Sequence, residues 1–144
     1  MEKSELVGLI SVVHRKTQIY LNQELKKYGL NSAEFVYLIH IRDNEPSELK
    51  SLGAHLRMDD AQTTRVIKSL EEKGLATKLR NQKDRRAYDV SLTDYGRDLK
   101  PKIIKDLNCW VDLITKGVKP DEMNQFLGIL RKTAKKAVEL TEGK

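Results

Sequence analysis

Two clusters of side chains in this chain are rich in hydrogen-bond donors. Lys83, Arg85 and Arg86 surround a single acid, Asp84. Upstream, Gln62 and Arg65 recur at helical spacing, with Thr64 and Lys68 at the margin of the same face and the small Ala61 beside them. A glutamine amide can pair with adenine, and a guanidinium with guanine N7 and O6. Ala61 or the Thr64 methyl could touch a thymine methyl, and both are small enough to let a helix approach. Arg65 could equally hold a phosphate or a nearby carboxylate, because most protein–DNA hydrogen bonds go to the backbone. Ser47 and Lys50, further upstream, are phosphate-contact candidates. No catalytic pattern accompanies these groups: there is no Gly-rich phosphate loop, nucleophile elbow, working carboxylate pair or metal-ligand spacing. The expectation is a non-enzyme with no catalytic residues, no metal and no cofactor.

The elements that must position these groups lie between Asp59 and Leu92. Asp59 opens a helix, and Gln62 three residues on completes a capping-box pattern. Thr63, Val66, Ile67, Leu70 and Gly74 form the inner face, with Ser69 assigned to the polar side beside Gln62 and Arg65. Gly74 stops the helix. Ala76 to Arg80 reads as a strand, Asn81 to Asp84 as a turn, and Arg85 to Leu92 as a second strand in which Tyr88, Val90 and Leu92 alternate with polar residues. A polar helix face fits the major groove of DNA, and a basic hairpin tip fits the neighbouring minor groove or its phosphates.

Thr64-Arg65, Leu70-Glu71, Gly74-Leu75, Asp84-Arg85-Arg86, Leu92-Thr93 and Gly96, in that order and spacing, resemble the MarR-type winged helix-turn-helix transcription regulators. The resemblance covers nearly the whole chain. It implies a mainly α fold with a small β-wing: a winged helix-turn-helix lobe over 31–92, and dimerisation helices over 1–30 and 93–144, in one domain of 1–144. It implies a homodimer on a pseudo-palindromic double-stranded DNA operator, most often acting as a repressor released by a ligand. It also implies that Asp84 pairs with Arg86 and aims it at the minor groove, with Lys83 and Arg85 nearer the phosphates. Read from the residues alone, Asp84 could simply shape the turn.

Size and charge agree with such a reading. At 144 residues the chain is long enough to bury a core. The net charge is 27 − 21 = +6. Arg65 to Arg86 carries eight basic and three acidic residues, whereas the first 64 residues sum to −1. The densest positive region therefore coincides with the helix and hairpin, as a phosphate-binding surface requires. No apolar run approaches the ~18 residues of a membrane span, and neither end reads as a targeting segment. A single cysteine excludes an internal disulfide and fits a reducing cytoplasm.

Around this centre the pattern predicts a helix from Glu5 to Tyr28 ended by Gly29, and a central helix from Asn31 to Asp43 with an Asn31–Glu34 capping box. A short helix follows, capped by Ser47 and running through Leu56; Arg57-Met58-Asp59 joins it to the next. Thr93 caps a helix to about Lys116 that Pro101 should kink or fray, and a last helix spans about Asp121 to Leu140. The terminal helices are more apolar than a small winged core needs, which points to a second copy covering them.

His14, His40 and His55 fall on three helices and read as surface or boundary residues. In relatives, small aromatic or carboxylate effectors bind the crevice between dimer helices and winged lobe. There His14 with the cationic Arg15 could take a carboxylate. Cys109, beside Trp110 in an apolar stripe, reads as buried and inert, and peroxide-sensing relatives carry their cysteine near the first helix instead. The competing class is a winged-helix module that binds protein without specific DNA binding, but such a module has no need for Lys83, Arg85 and Arg86 together.

Overall fold

A computed structural model describes residues 2–142. Residues through Trp110 form one compact unit, and those from Val111 onward a second. The order is α1 (Lys3–Leu25) with a closing 3₁₀ turn (Lys26–Tyr28), α2 (Ser32–His40), β1 (Ser47–Glu48), α3 (Leu49–His55), α4 (Asp60–Glu72), β2 (Ala76–Arg80), β3 (Tyr88–Leu92), α5 (Asp94–Ile114) and α6 (Pro120–Glu142). The strands make an antiparallel sheet ordered β1-β3-β2, with Ala76 opposite Leu92 and Arg80 opposite Tyr88.

The core of the first unit is built where α2 meets α4. Tyr37, Leu38, Ile41, Ile67, Leu70 and Val90 have no exposed surface. Each such aliphatic side chain contributes about 1.5–3 kcal/mol through burial. Leu21 and Leu25 of α1 and Leu99 and Ile103 of α5 close the same core. α3 crosses α4 where Gly53 faces Thr63: a Cβ on Gly53 would stand 2.5 Å from Thr63 Oγ1. The Thr63 hydroxyl in turn shares a 2.8 Å hydrogen bond with Tyr37.

Several boundaries differ from the sequence reading. α2 stops at His40 because Ile41 turns extended (φ −71°, ψ 132°), which carries its side chain into the core. Ser47 caps no helix. It pairs with Val90 in a two-residue strand, it is buried, and its Oγ accepts from the Arg42 N–H at 3.3 Å. The helix after it starts at Leu49, with Glu48 in the N-cap position and no side-chain cap. β3 begins at Tyr88 rather than Arg85, because Arg85 to Ala87 belong to the turn. α5 runs through Pro101 without interruption.

Candidate nucleic-acid interface

The base of α4 is set by its cap. Asp59 Oδ1 accepts the Gln62 N–H at 2.7 Å, satisfying a first-turn donor. The Gln62 side chain does not return the bond, so half of the expected capping box forms. At the far end Gly74 takes φ +74°, where a side chain would be strained. Between them Thr63, Val66, Ile67 and Leu70 are buried, while Ala61, Thr64, Arg65 and Lys68 are exposed and Gln62 is half-buried. The sequence assigned Ser69 to the polar face. It turns inward instead, donating to Glu34 Oε2 at 2.7 Å.

The hairpin tip is organised by Asn81. Its Oδ1 accepts the N–H groups of Lys83 (2.8 Å) and Asp84 (3.0 Å), and its Nδ2 donates to Asp89 (3.1 Å). Asp84 Oδ1 accepts both the Arg86 N–H (3.0 Å) and Arg86 Nε (3.3 Å). Turn shaping and arginine bracing are thus both performed by the same oxygen. Arg80 donates to Arg85 O at 2.8 Å and lies over the Tyr88 ring at 5.3 Å, with Lys78 over the same ring at 4.7 Å. Lys83, Arg85 and Arg86 stay exposed. A groove of about 440 Å³ is lined by Lys50, Asp60, Thr64, Asp84, Arg86 and Tyr88, so α3, α4 and the hairpin open onto one space. Ser47 does not line this groove; it lines a separate one with Ser51, His55 and Lys83.

Behind α4 lies an arrangement that only the fold reveals. Glu34 is 1% exposed. Its carboxylate accepts from the Asn31 N–H (3.0 Å), Ser69 Oγ (2.7 Å) and Lys73 Nζ (2.7 Å). Burial pushes its carboxyl pKa up, but Lys73, Ser69 and the Asn31 N–H outweigh burial and hold it below the usual carboxylate value. The capping-box spacing of Asn31 and Glu34 was a local signal. Nothing local announces Ser69 or Lys73, which lie 35 and 39 residues away.

His14 and Arg15 lie exposed on α1, where Arg15 donates to Ser11 Oγ. The rings of His40 and His55 approach to 5.6 Å, so two of the three histidines meet. Among the described residues no group of three or more metal-ligating side chains forms. Cys109 is exposed, not buried: at helical spacing it falls off the stripe of Leu99, Ile103, Leu107 and Trp110. Among the described residues no helix is long and apolar enough to cross a membrane.

A cap-fixed helix beside an arginine-bearing hairpin defines a winged helix-turn-helix, and the comparisons agree. The MarR family model matches residues 30–88. The HTH-type transcriptional regulator BilQ of Clostridioides difficile is 29% identical over 141 residues, 96% of this chain and 95% of that one. A MarR transcriptional regulator from Methanosarcina mazei Go1 superposes with a TM-score of 0.87 at 26% identity, covering 96% of this chain and 100% of that one. A putative MarR family regulator from Listeria monocytogenes, solved with a 26mer DNA, gives 0.86 at 26% identity over 96% and 95%. Residues 30–88 thus carry a MarR-type winged helix-turn-helix, and the chain is similar over nearly all its length to transcriptional regulators, one of them solved on DNA.

Proposed function

We propose that the chain works as a homodimeric, ligand-responsive repressor that reads a pseudo-palindromic operator in double-stranded DNA. The observation that carries this reading is the shared groove: Thr64 of α4, Lys50 of α3 and the Asp84-braced Arg86 of the hairpin face one space. α4 lies in the major groove with Ala61, Gln62, Thr64 and Arg65 toward the bases and Lys68 toward the backbone. Arg86 enters the adjacent minor groove, and Lys83, Arg85 and Lys50 hold phosphates. The Listeria relative with its 26mer DNA supports the same use of the fold.

The dimer is supported by uncovered apolar side chains. Leu6, Ile10 and Val13 of α1, and Phe126 and Ile129 of α6, are all at least 45% exposed. A second copy related by a twofold axis covers such faces and sets two α4 helices one DNA turn apart, about 34 Å. A carboxylate or aromatic effector held by His14 and Arg15 beside the winged lobe releases the operator by favouring a different spacing of the two lobes. A cytoplasmic location goes with this reading, supported by action on DNA.

Selection of bound sequences from a random DNA pool, with sedimentation in parallel, tests the reading. The expected result is an inverted repeat and a dimer at micromolar protein. A stable monomer, or a pool that does not enrich, rejects it.

A further inference from the structure

We propose that Lys73 and Glu34 are positioning residues for operator reading: they register α4 against the α1–α5 body, and so fix the separation of the two α4 helices in a dimer. The inference rests on the dimeric DNA-binding reading above.

Lys73 Nζ donates at 2.7 Å both to Gly29 O and to Glu34. Gly29 closes the 3₁₀ turn at the end of α1, in the left-handed conformation at φ +69°. That turn is itself anchored to α5: Tyr28 donates to Asp106 at 2.8 Å, and Lys27 meets the same carboxylate at 3.1 Å. Polar contacts therefore run without a gap from α5, through the end of α1, to the last turn of α4. Glu34 supplies the counter-charge from the first turn of α2, and Ser69 adds a second grip one helical turn earlier on α4.

The placement of this clamp is informative. An ion pair serving stability alone could sit anywhere in the lobe. This one joins the rear end of the helix whose front face bears Gln62 and Arg65 to the helices expected to meet the second copy. A small rotation about that anchorage displaces the front of α4. Base contacts read a fixed donor and acceptor pattern and so depend on where α4 sits, whereas phosphate contacts carry no sequence information.

The test uses full-length protein and a panel of operators whose half-sites, taken from the selected sequence, are moved apart or together in single base-pair steps. Each step turns one half-site by about 34° around the DNA axis. Wild type should show one preferred spacing and lose about tenfold in affinity for a one-base-pair change, as for a lost base contact. Lys73→Met should flatten the profile to within about threefold while weakening the best site. Should Lys73→Met fail to fold, Glu34→Gln/Lys73→Met, which leaves no buried charge, is read instead.

Affinity for random DNA and its salt dependence should match wild type. A salt slope reduced by about 0.9 would show Lys73 sitting on a phosphate and overturn the assignment. An unchanged spacing profile in a folded variant also overturns it, since a role confined to stability leaves that profile intact. If wild type itself ignores spacing or binds no DNA, the dimeric reading falls and takes this inference with it. If wild type has a sharp optimum that the variants keep, only the inference falls.

Discussion

At the root of α4, Glu34 meets Lys73 at 2.7 Å with its carboxylate out of reach of water; at the hairpin tip, Asp84 meets Arg86 at 3.3 Å with the arginine side chain 93% exposed. The chemistry is the same and the surroundings are opposite. A buried carboxylate that loses its cation keeps its charge in a poor solvent, so the root pair cannot be broken cheaply. The tip pair sits in water, where such contacts contribute about 0–1 kcal/mol. What the tip pair provides is direction, since one oxygen holds both the backbone and the side chain of Arg86. One pair fixes the frame and the other aims a probe.

The largest effect expected from breaking this contrast is on stability at the root. Lys73→Met should cost about 3 kcal/mol, the low end for a broken buried pair because Lys73 itself is partly exposed. Urea midpoints measure the loss, and Glu34→Gln/Lys73→Met should recover part of it. A single variant as stable as wild type would erase the difference between the two pairs. Next comes the tip. Arg86→Ala should weaken operator binding by about 1–3 kcal/mol and reduce the salt slope by about 0.9, while leaving the urea midpoint within about 0.5 kcal/mol of wild type. Affinity unchanged across a salt series would remove Arg86 from the interface.

The smallest effect is a pH dependence. Glu34 has a folded pKa below its unfolded value of about 4.5, so its contribution is full above that value and is lost as pH falls through the folded pKa. Wild-type melting temperature should therefore drop more steeply than that of Glu34→Gln as pH is lowered from 5 toward the acid limit. Parallel curves would mean that Glu34 gains nothing from its three donors.

Legibility in the sequence followed the range of the interactions. Asp59, Gly74, the Asn31–Glu34 capping box and the alternation of Tyr88, Val90 and Leu92 are written within a few residues of each other, and the structure has them. Asp84 bracing Arg86 came from the family resemblance, and its geometry is present. Ser47 misled because Pro46-Ser47-Glu48 carries a helix-start signal; the sheet recruited it through Val90, 43 positions away. Ser69 was read as solvent-facing and Lys73 was given no role, because their acceptor, Glu34, sits on another helix. Cys109 was misjudged by its apolar neighbours rather than by its angle around the helix. Tyr88 was read as a strand residue, but its stacking with Lys78 and Arg80 depends on which strand lies opposite.

The glycine after Thr93 bears on how the wing moves. Gly96 lies so close to Leu75 O that even a methyl group would collide with it. Thr93 N–H donates to that same oxygen at 3.1 Å, and Thr93 Oγ1 donates to Gly74 O at 2.6 Å. The start of α5 and the start of the hairpin thus share one seam with no clearance. The hairpin's base cannot swivel on its own. Any tilt imposed on the first turn of α5 is delivered to the finger beyond it, much as a key's blade follows its bow.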